Sequence, residues 1–256
     1  MSKPAGLCIF CRGRGLSKEH LFSDWLRVLF PRHAGHTHTL GEAVRFDAQN
    51  NPTFATTQHQ GHSGTKKFRI VCKRCNNEWL SGIDDAARIA VTPLIQGIAV
   101  TLKPEMQAQI AIWLAKIAMV GDSRRRKSSK IPQAQRDWLR ERGFPPQGWE
   151  VWIAPYSGEE LHELALFQFG GSLTLPGRPE GFMQFTVIGM GKLLALGTGT
   201  DIPNIRITFE PLDQMMTRVW PTGDAIRWPT EPAFSDAEGE MLVRVNHLMR
   251  AFLVDD

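Results

Sequence analysis

Four cysteines, Cys8, Cys11, Cys72 and Cys75, are the only ones in the 256-residue chain, and they fall into two Cys-x-x-Cys pairs. That spacing presents two thiolates from one tight turn, so a single tetrahedral zinc site of four sulfurs accounts for all of them. A redox role would need a thioredoxin-like context, which neither pair has. Glu19-His20 stands between the pairs, and Asn76-Asn77 follows the second directly. Cleavage of a phosphodiester needs a nucleophile, a base that titrates near neutrality and a cation facing the phosphate. An imidazole, a carboxylate and an amide can supply the protein's share of that chemistry.

The flanking segments must bring these residues together. Residues 7–12 read as a metal-binding turn, with Gly13 and Gly15 letting the backbone reverse after it. Lys66-Lys67-Phe68-Arg69-Ile70-Val71 alternates charged and apolar side chains, the pattern of a half-buried strand that delivers the chain to Cys72. Helical apolar spacing begins after Glu19-His20, with Ser23 or Asp24 as a cap and Pro31 as a stop. Residues 32–65 form a polar excursion containing His33, His36, His38, His59 and His62, read as solvated side chains, and one short strand at 43–46. After Cys75 the pattern predicts a helix capped by Asn76 or Asn77, with Asp84-Asp85 at its exposed start.

Further along, segments 83–101 and 105–120 are apolar on most of their circumference and are expected to be buried helices. A basic loop over 123–130 precedes a short helix at 133–142. Beyond Gly143-Phe144-Pro145-Pro146, strands are predicted at 150–154, 163–169, 181–188, 192–196, 205–209, 217–220 and 225–228. A closing helix over 236–253 carries one apolar stripe. The fold class is therefore α+β. Residues 1–85 form a metal-stapled module, 86–142 a helical region with a basic loop, and 143–256 an acidic, mainly antiparallel β domain ending in a helix.

The succession Cys-x-x-Cys, Glu-His, Cys-x-x-Cys-Asn-Asn resembles the HNH endonuclease family in its zinc-stapled form, over about residues 7–85. The resemblance implies a ββα-metal element, in which a hairpin and a helix hold one catalytic divalent ion while the four cysteines bind a separate structural zinc. It makes His20 the general base, and Glu19 and Asn76 the ligands of Mg²⁺ or Mn²⁺. The middle asparagine of the family is replaced here by Lys66-Lys67-Phe68, so Asn77, His62 or a backbone carbonyl would have to brace the base.

Charge supports a polyanionic partner. The net charge of +4 hides a division at Arg142: residues 1–142 hold 23 Lys+Arg against 11 Asp+Glu, net +12, and the remainder hold 7 against 15, net −8. Lys66, Lys67, Arg124, Arg125, Arg126 and Lys127 are the expected phosphate contacts, and DNA is the expected partner. A nuclease cutting both strands would work as a homodimer. The N-terminus lacks the pattern of a signal peptide, and the longest apolar run, residues 89–102, is too short to span a bilayer, so a cytoplasmic setting without membrane contact is expected. Two other classes fit the same sequence: a zinc-containing nucleic-acid-binding module that no longer cuts, and a defence- or toxin-type interaction protein whose acidic domain holds a partner.

Overall fold

The computed structural model describes residues 6–31, 37–46, 52–60, 63–123, 129–173, 179–244 and 250–253. After the first cysteine turn the chain forms β1 (Leu16–His20) and a single helical turn, α1 (Leu26–Leu29). The helix predicted from Ser23 to Pro31 is thus only one turn long, and Ser23 is a core residue rather than its cap. The polar excursion contains more regular structure than one short strand. Its backbone forms an antiparallel hairpin of β2 (Thr37–Phe46) and β3 (Pro52–Gln60).

The charged–apolar alternation before Cys72 forms β4 (Lys67–Cys72), as predicted, and pairs antiparallel with β1. A π-helical turn, Cys75–Leu80, then runs straight into α2 (Ser81–Gln96). Neither asparagine caps this helix: Arg74 occupies the cap position, without a side-chain bond. Gly97, at φ 67°, ends α2 in the left-handed conformation that glycine adopts without steric cost. The first predicted helix therefore stops short, because residues 100–102 turn away as β5 (Val100–Leu102). Pro104 then opens α3 (Pro104–Asp122), at the first helical position where its missing N–H costs nothing.

The two central helices differ in burial. Ile110, Ala111 and every residue from Trp113 to Gly121 are buried, which fits the all-round apolar pattern of α3. Helix α2 instead buries one face, through Ala87, Ala90, Val91, Leu94 and Ile95, and leaves Ile89 74% exposed. Helix α4 (Gln133–Arg142) has the predicted bounds and ends at Gly143 in the same left-handed cap.

Residues 149–220 build a five-stranded antiparallel sheet in the order β11 (Thr217–Trp220), β6 (Trp149–Pro155), β9 (Leu193–Thr200), β8 (Gly181–Met190) and β7 (Ala165–Leu173). Its alternation is read on both faces, since successive strand side chains point opposite ways. Val151, Ile153, Ile188, Met190, Leu193 and Ala195 join the cluster around α2 and α3. Trp152, Ala154, Phe185, Val187, Leu194 and Leu196 join a second cluster with Ile207, Phe209, Leu212 and Leu242. The sheet is thus the middle layer of three. Gly197 lets α3 come close, because a Cβ there would lie 3.1 Å from Leu114.

The second cluster is closed by β10 (Ile205–Thr208), α5 (Leu212–Met215) and α6 (Asp236–Val243), while β12 (Ile226–Trp228) pairs with β5. Ser235 and Glu238 form a capping box at the start of α6. The closing helix predicted over 236–253 ends early, and β13 (Arg250–Leu253) pairs antiparallel with β10 instead. The first cluster extends from Cys8 through α2 and α3 to Trp228, so one core supports both the cysteine turns and the sheet.

Candidate metal centre and the strand face beside it

Each cysteine pair sits on a turn that points backbone N–H groups at sulfur. Gly13 N–H donates to Cys11 Sγ at 3.4 Å, and Cys75 N–H donates to Cys72 Sγ at 3.4 Å. A positive φ of 59° at Arg12 and the Cys8 N–H to Gly13 carbonyl bond close the first turn. Ile9 N–H donates to the Ile70 carbonyl, which holds this turn against β4 and brings the second pair to it. All four sulfurs lie within 4.8 Å of one another, and Cys11 and Cys72 are 3.4 Å apart. A tetrahedral tetrathiolate zinc has sulfurs about 3.8 Å apart, from Zn–S bonds of about 2.3 Å. The four cysteines are therefore positioned to bind one metal ion.

Burial raises the Cys72 thiol, but the Cys75 N–H and the neighbouring thiols outweigh it and bring it down to about 7. Burial pushes Cys75 and Cys11 up. Cys72 accordingly ionises more readily than Cys75 or Cys11. Helix α4 completes the surroundings: Cys75 favours the charged form of the Arg140 guanidinium beside it and raises its pKa, and Gln133 Nε2 donates to the Ile9 carbonyl at 2.8 Å.

The β1–β4 register divides the neighbouring residues between two faces. Lys18 lies opposite Arg69 and His20 opposite Lys67, with Glu19 opposite Phe68 between them. Lys18, Lys67 and Arg69 are exposed and His20 is half-buried, whereas Glu19 is buried. The Glu19-His20 dipeptide is therefore split, with the imidazole toward solvent and the carboxylate toward the core.

His20 Nε2 lies 2.9 Å from Arg27 Nη2 and 3.1 Å from Asp24 Oδ1, and Arg27 and Asp24 are themselves 2.7 Å apart. Guanidinium can only donate and carboxylate can only accept, so the two contacts select different protonation states of Nε2. Burial is the largest influence on His20 and lowers its pKa; Lys67 and Arg27 lower it further, against an opposing pull from Asp24. At neutral pH the ring is thus uncharged, and in the tautomer with the proton on Nδ1 its Nε2 lone pair accepts from Arg27.

Glu19 is differently placed. Its Oε1 is 2.7 Å from Lys116 Nζ, and the two side chains are 3% and 0% exposed. Lys116 also donates to both carboxylate oxygens of Asp84 at 3.1 Å, while Ser23 Oγ donates to Asp84 Oδ1 and Trp113 Nε1 donates to Ser23 Oγ. Asp84, expected at an exposed helix start, thus belongs to a half-buried network, whereas Asp85 is exposed as expected. Lys116, Asp84, Arg27 and Asp24 were not among the sequence-derived site residues. The signal for the network was Lys116 itself, a lone charge in an apolar helix that has to meet a buried carboxylate.

Asn76 Nδ2 donates to Ser17 Oγ at 3.0 Å and to the Lys18 carbonyl at 3.1 Å, tying the helix start to the strand that carries His20. Asn77 is exposed. Lys66 lends its carbonyl to Leu21 N–H just beyond β1. Residues Arg124, Arg125, Arg126 and Lys127 lie outside the described residues, as do His33, His36 and His62. No helix among the described residues is long and apolar enough to cross a membrane. Comparison of the chain with protein-family models, with curated proteins and with solved structures finds no match.

Proposed function

We propose that the protein is an HNH-type endonuclease, a phosphodiester hydrolase acting on DNA, with structural zinc in the four-cysteine site. The observation that supports this reading is the local order of elements. The antiparallel β1–β4 pair places His20 at its solvent side, continues through Cys72 and Cys75 into a helix, and is tied to that helix by Asn76. A neutral imidazole on this frame is a competent base at pH 7: Nε2 would take a proton from water as the water oxygen attacks phosphorus, the bond from phosphorus to one sugar oxygen breaks, and that oxygen leaves and is protonated by solvent. Asn76 positions the strand rather than touching the reacting atoms.

The expected hard cation, Mg²⁺ or Mn²⁺, would supply charge stabilisation at the phosphate. Glu19 and Asn76 do not fit together as its ligands: Glu19 faces the core against Lys116, and Asn76 turns its amide nitrogen to β1. That placement favours a second reading, a zinc-stapled module that binds nucleic acid and leaves it intact.

Plasmid nicking in Mg²⁺ and in Mn²⁺ tests the choice, with wild type against His20→Ala of equal zinc content. The hydrolase reading expects a loss of about 10²-fold or more in the variant, the usual contribution of a general base. Equal rates in the two proteins would remove His20 from the mechanism, and tight binding without nicking by wild type would select the binding module.

A further inference from the structure

We propose that Arg27, Lys67 and Lys18 form a phosphate-binding site around His20 that holds a nucleic-acid backbone phosphate without a divalent ion, and that the phosphate draws Arg27 off the imidazole. This rests on the nucleic-acid reading above and locates where the polyanion meets the strand face. Three observations carry it. The antiparallel register places Lys67 directly across from His20 and Lys18 two positions along the same face. Both lysines are exposed, and Arg27 reaches the same imidazole from α1. The carboxylate that would hold a cation there, Glu19, is on the opposite face and is neutralised by Lys116.

Among the described residues, Asp24 is the one acidic side chain paired with His20 on this face, and it also pairs with Arg27. Arg69 adds a further positive charge opposite Lys18, with Nη1 donating to the Leu16 carbonyl at 2.9 Å. Among the described residues, three lysine and arginine charges without Arg69, or four with it, exceed the one carboxylate, so an anion is favoured at the centre of the face.

Arg27 has a choice of acceptors once a phosphate arrives. Its Nη2 is shared between a neutral imidazole nitrogen and one Asp24 oxygen, whereas a phosphate offers two charged oxygens to both arms of the guanidinium fork. Movement of Arg27 to the phosphate takes its donor away from Nε2 and leaves Asp24 Oδ1, 3.1 Å away, as the contact that favours a proton there. Phosphate binding and release of the imidazole from Arg27 are then one event, and no carboxylate-held metal is needed to hold the anion.

The test uses the full-length zinc-loaded protein and a short fluorescein-labelled DNA duplex, with anisotropy followed across a salt series in Mg²⁺-free buffer containing citrate at a level that leaves the zinc bound. Arg27→Gln and Lys67→Gln are each expected to weaken binding about tenfold and to reduce the slope of log K against log salt by about 1. Arg227→Gln, on the exposed face of β12, is the control and should change neither. Wild-type affinity and slope in the Arg27→Gln/Lys67→Gln double variant would overturn the proposal.

If a variant misfolds, the wild type alone decides: titration with inorganic phosphate should shift the His20 ring resonances, and unmoved resonances would overturn the site. Loss of binding in both variants, with no nicking by wild type, retains the phosphate site and removes the hydrolase reading. Nicking that needs His20, with binding indifferent to Arg27 and Lys67, has the opposite consequence.

Discussion

Glu19 Oε1 accepts from Lys116 Nζ at 2.7 Å, and this pair joins the strand that carries His20 to the most buried helix of the core. The three ammonium hydrogens of Lys116 have acceptors in Glu19 and the two oxygens of Asp84. Burial raises Glu19, opposed by Lys116, and the two carboxylates outweigh burial at Lys116 and raise it. A protonated lysine shared by two acids is therefore the state that holds β1, α2 and α3 together.

Lys116→Met is expected to destabilise the protein by about 3–5 kcal/mol, because it leaves buried carboxylate charge without its partner. Adding Glu19→Gln to Lys116→Met should recover part of the loss, since one of the stranded charges is gone. Urea unfolding midpoints give both values. A Lys116→Met midpoint equal to wild type would show that the pair does not tie these elements together.

The cysteine spacing, the β4 pattern and the bounds of α4 were readable directly, because each depends on local chemistry: thiolate spacing, period-2 alternation and a glycine stop. The direction of Glu19 was not. Glutamate on a short strand takes whichever face the pairing dictates, and that face is set by the partner strand and by Lys116, 97 positions away. The closing helix failed for a related reason. Its apolar stripe fits a helix as far as Val243, but pairing with β10 draws residues 250–253 into a strand. Arg27 was hidden because nothing in its own neighbourhood distinguishes a guanidinium on an imidazole from one in water.

His20 should make folding pH-dependent with a definite sign. Its folded pKa lies below the unfolded value of 6.5, so in the interval between them the unfolded chain binds the extra proton. The contribution of this group to stability is therefore full above pH 6.5 and falls as pH drops through that interval. Lys67→Gln should raise the His20 pKa by removing an opposing charge, and Asp24→Asn should lower it by removing a supporting one. NMR titration of the ring reads both directions, and shifts of the same sign would contradict the charge arrangement around His20.

Removal of metal is expected to loosen one part of the chain first. The four cysteines join the first turn to the end of β4, which pairs with β1, and to the π-helical turn, whereas the five-stranded sheet has apolar clusters on both faces. Chelation should therefore abolish amide protection in residues 8–20 and 67–75 while leaving β6, β8 and β9 protected, as expected of a separately opening unit. Hydrogen exchange with and without a strong chelator makes the comparison. Uniform loss over the whole chain would mean that the cysteine centre and the sheet unfold as one.

Arg140 should govern how tightly that metal is kept. Four thiolates on a divalent ion carry a formal excess of about two negative charges, and the Arg140 guanidinium, whose charged form the cysteines favour, is a cation supplied to them by α4. Arg140→Gln removes the charge while keeping a donor; Arg140→Lys keeps the charge but loses the planar fork. Outer-shell partners typically alter metal affinity about 10–100-fold. Competition against a chromophoric chelator should thus show weaker binding in the order wild type, Arg140→Lys, Arg140→Gln, with the Gln variant weakened by about tenfold or more. Equal affinities for all three proteins would show that the sulfur cluster does not draw on this charge, and that α4 holds the metal turn only through Gln133 and the Ile9 carbonyl.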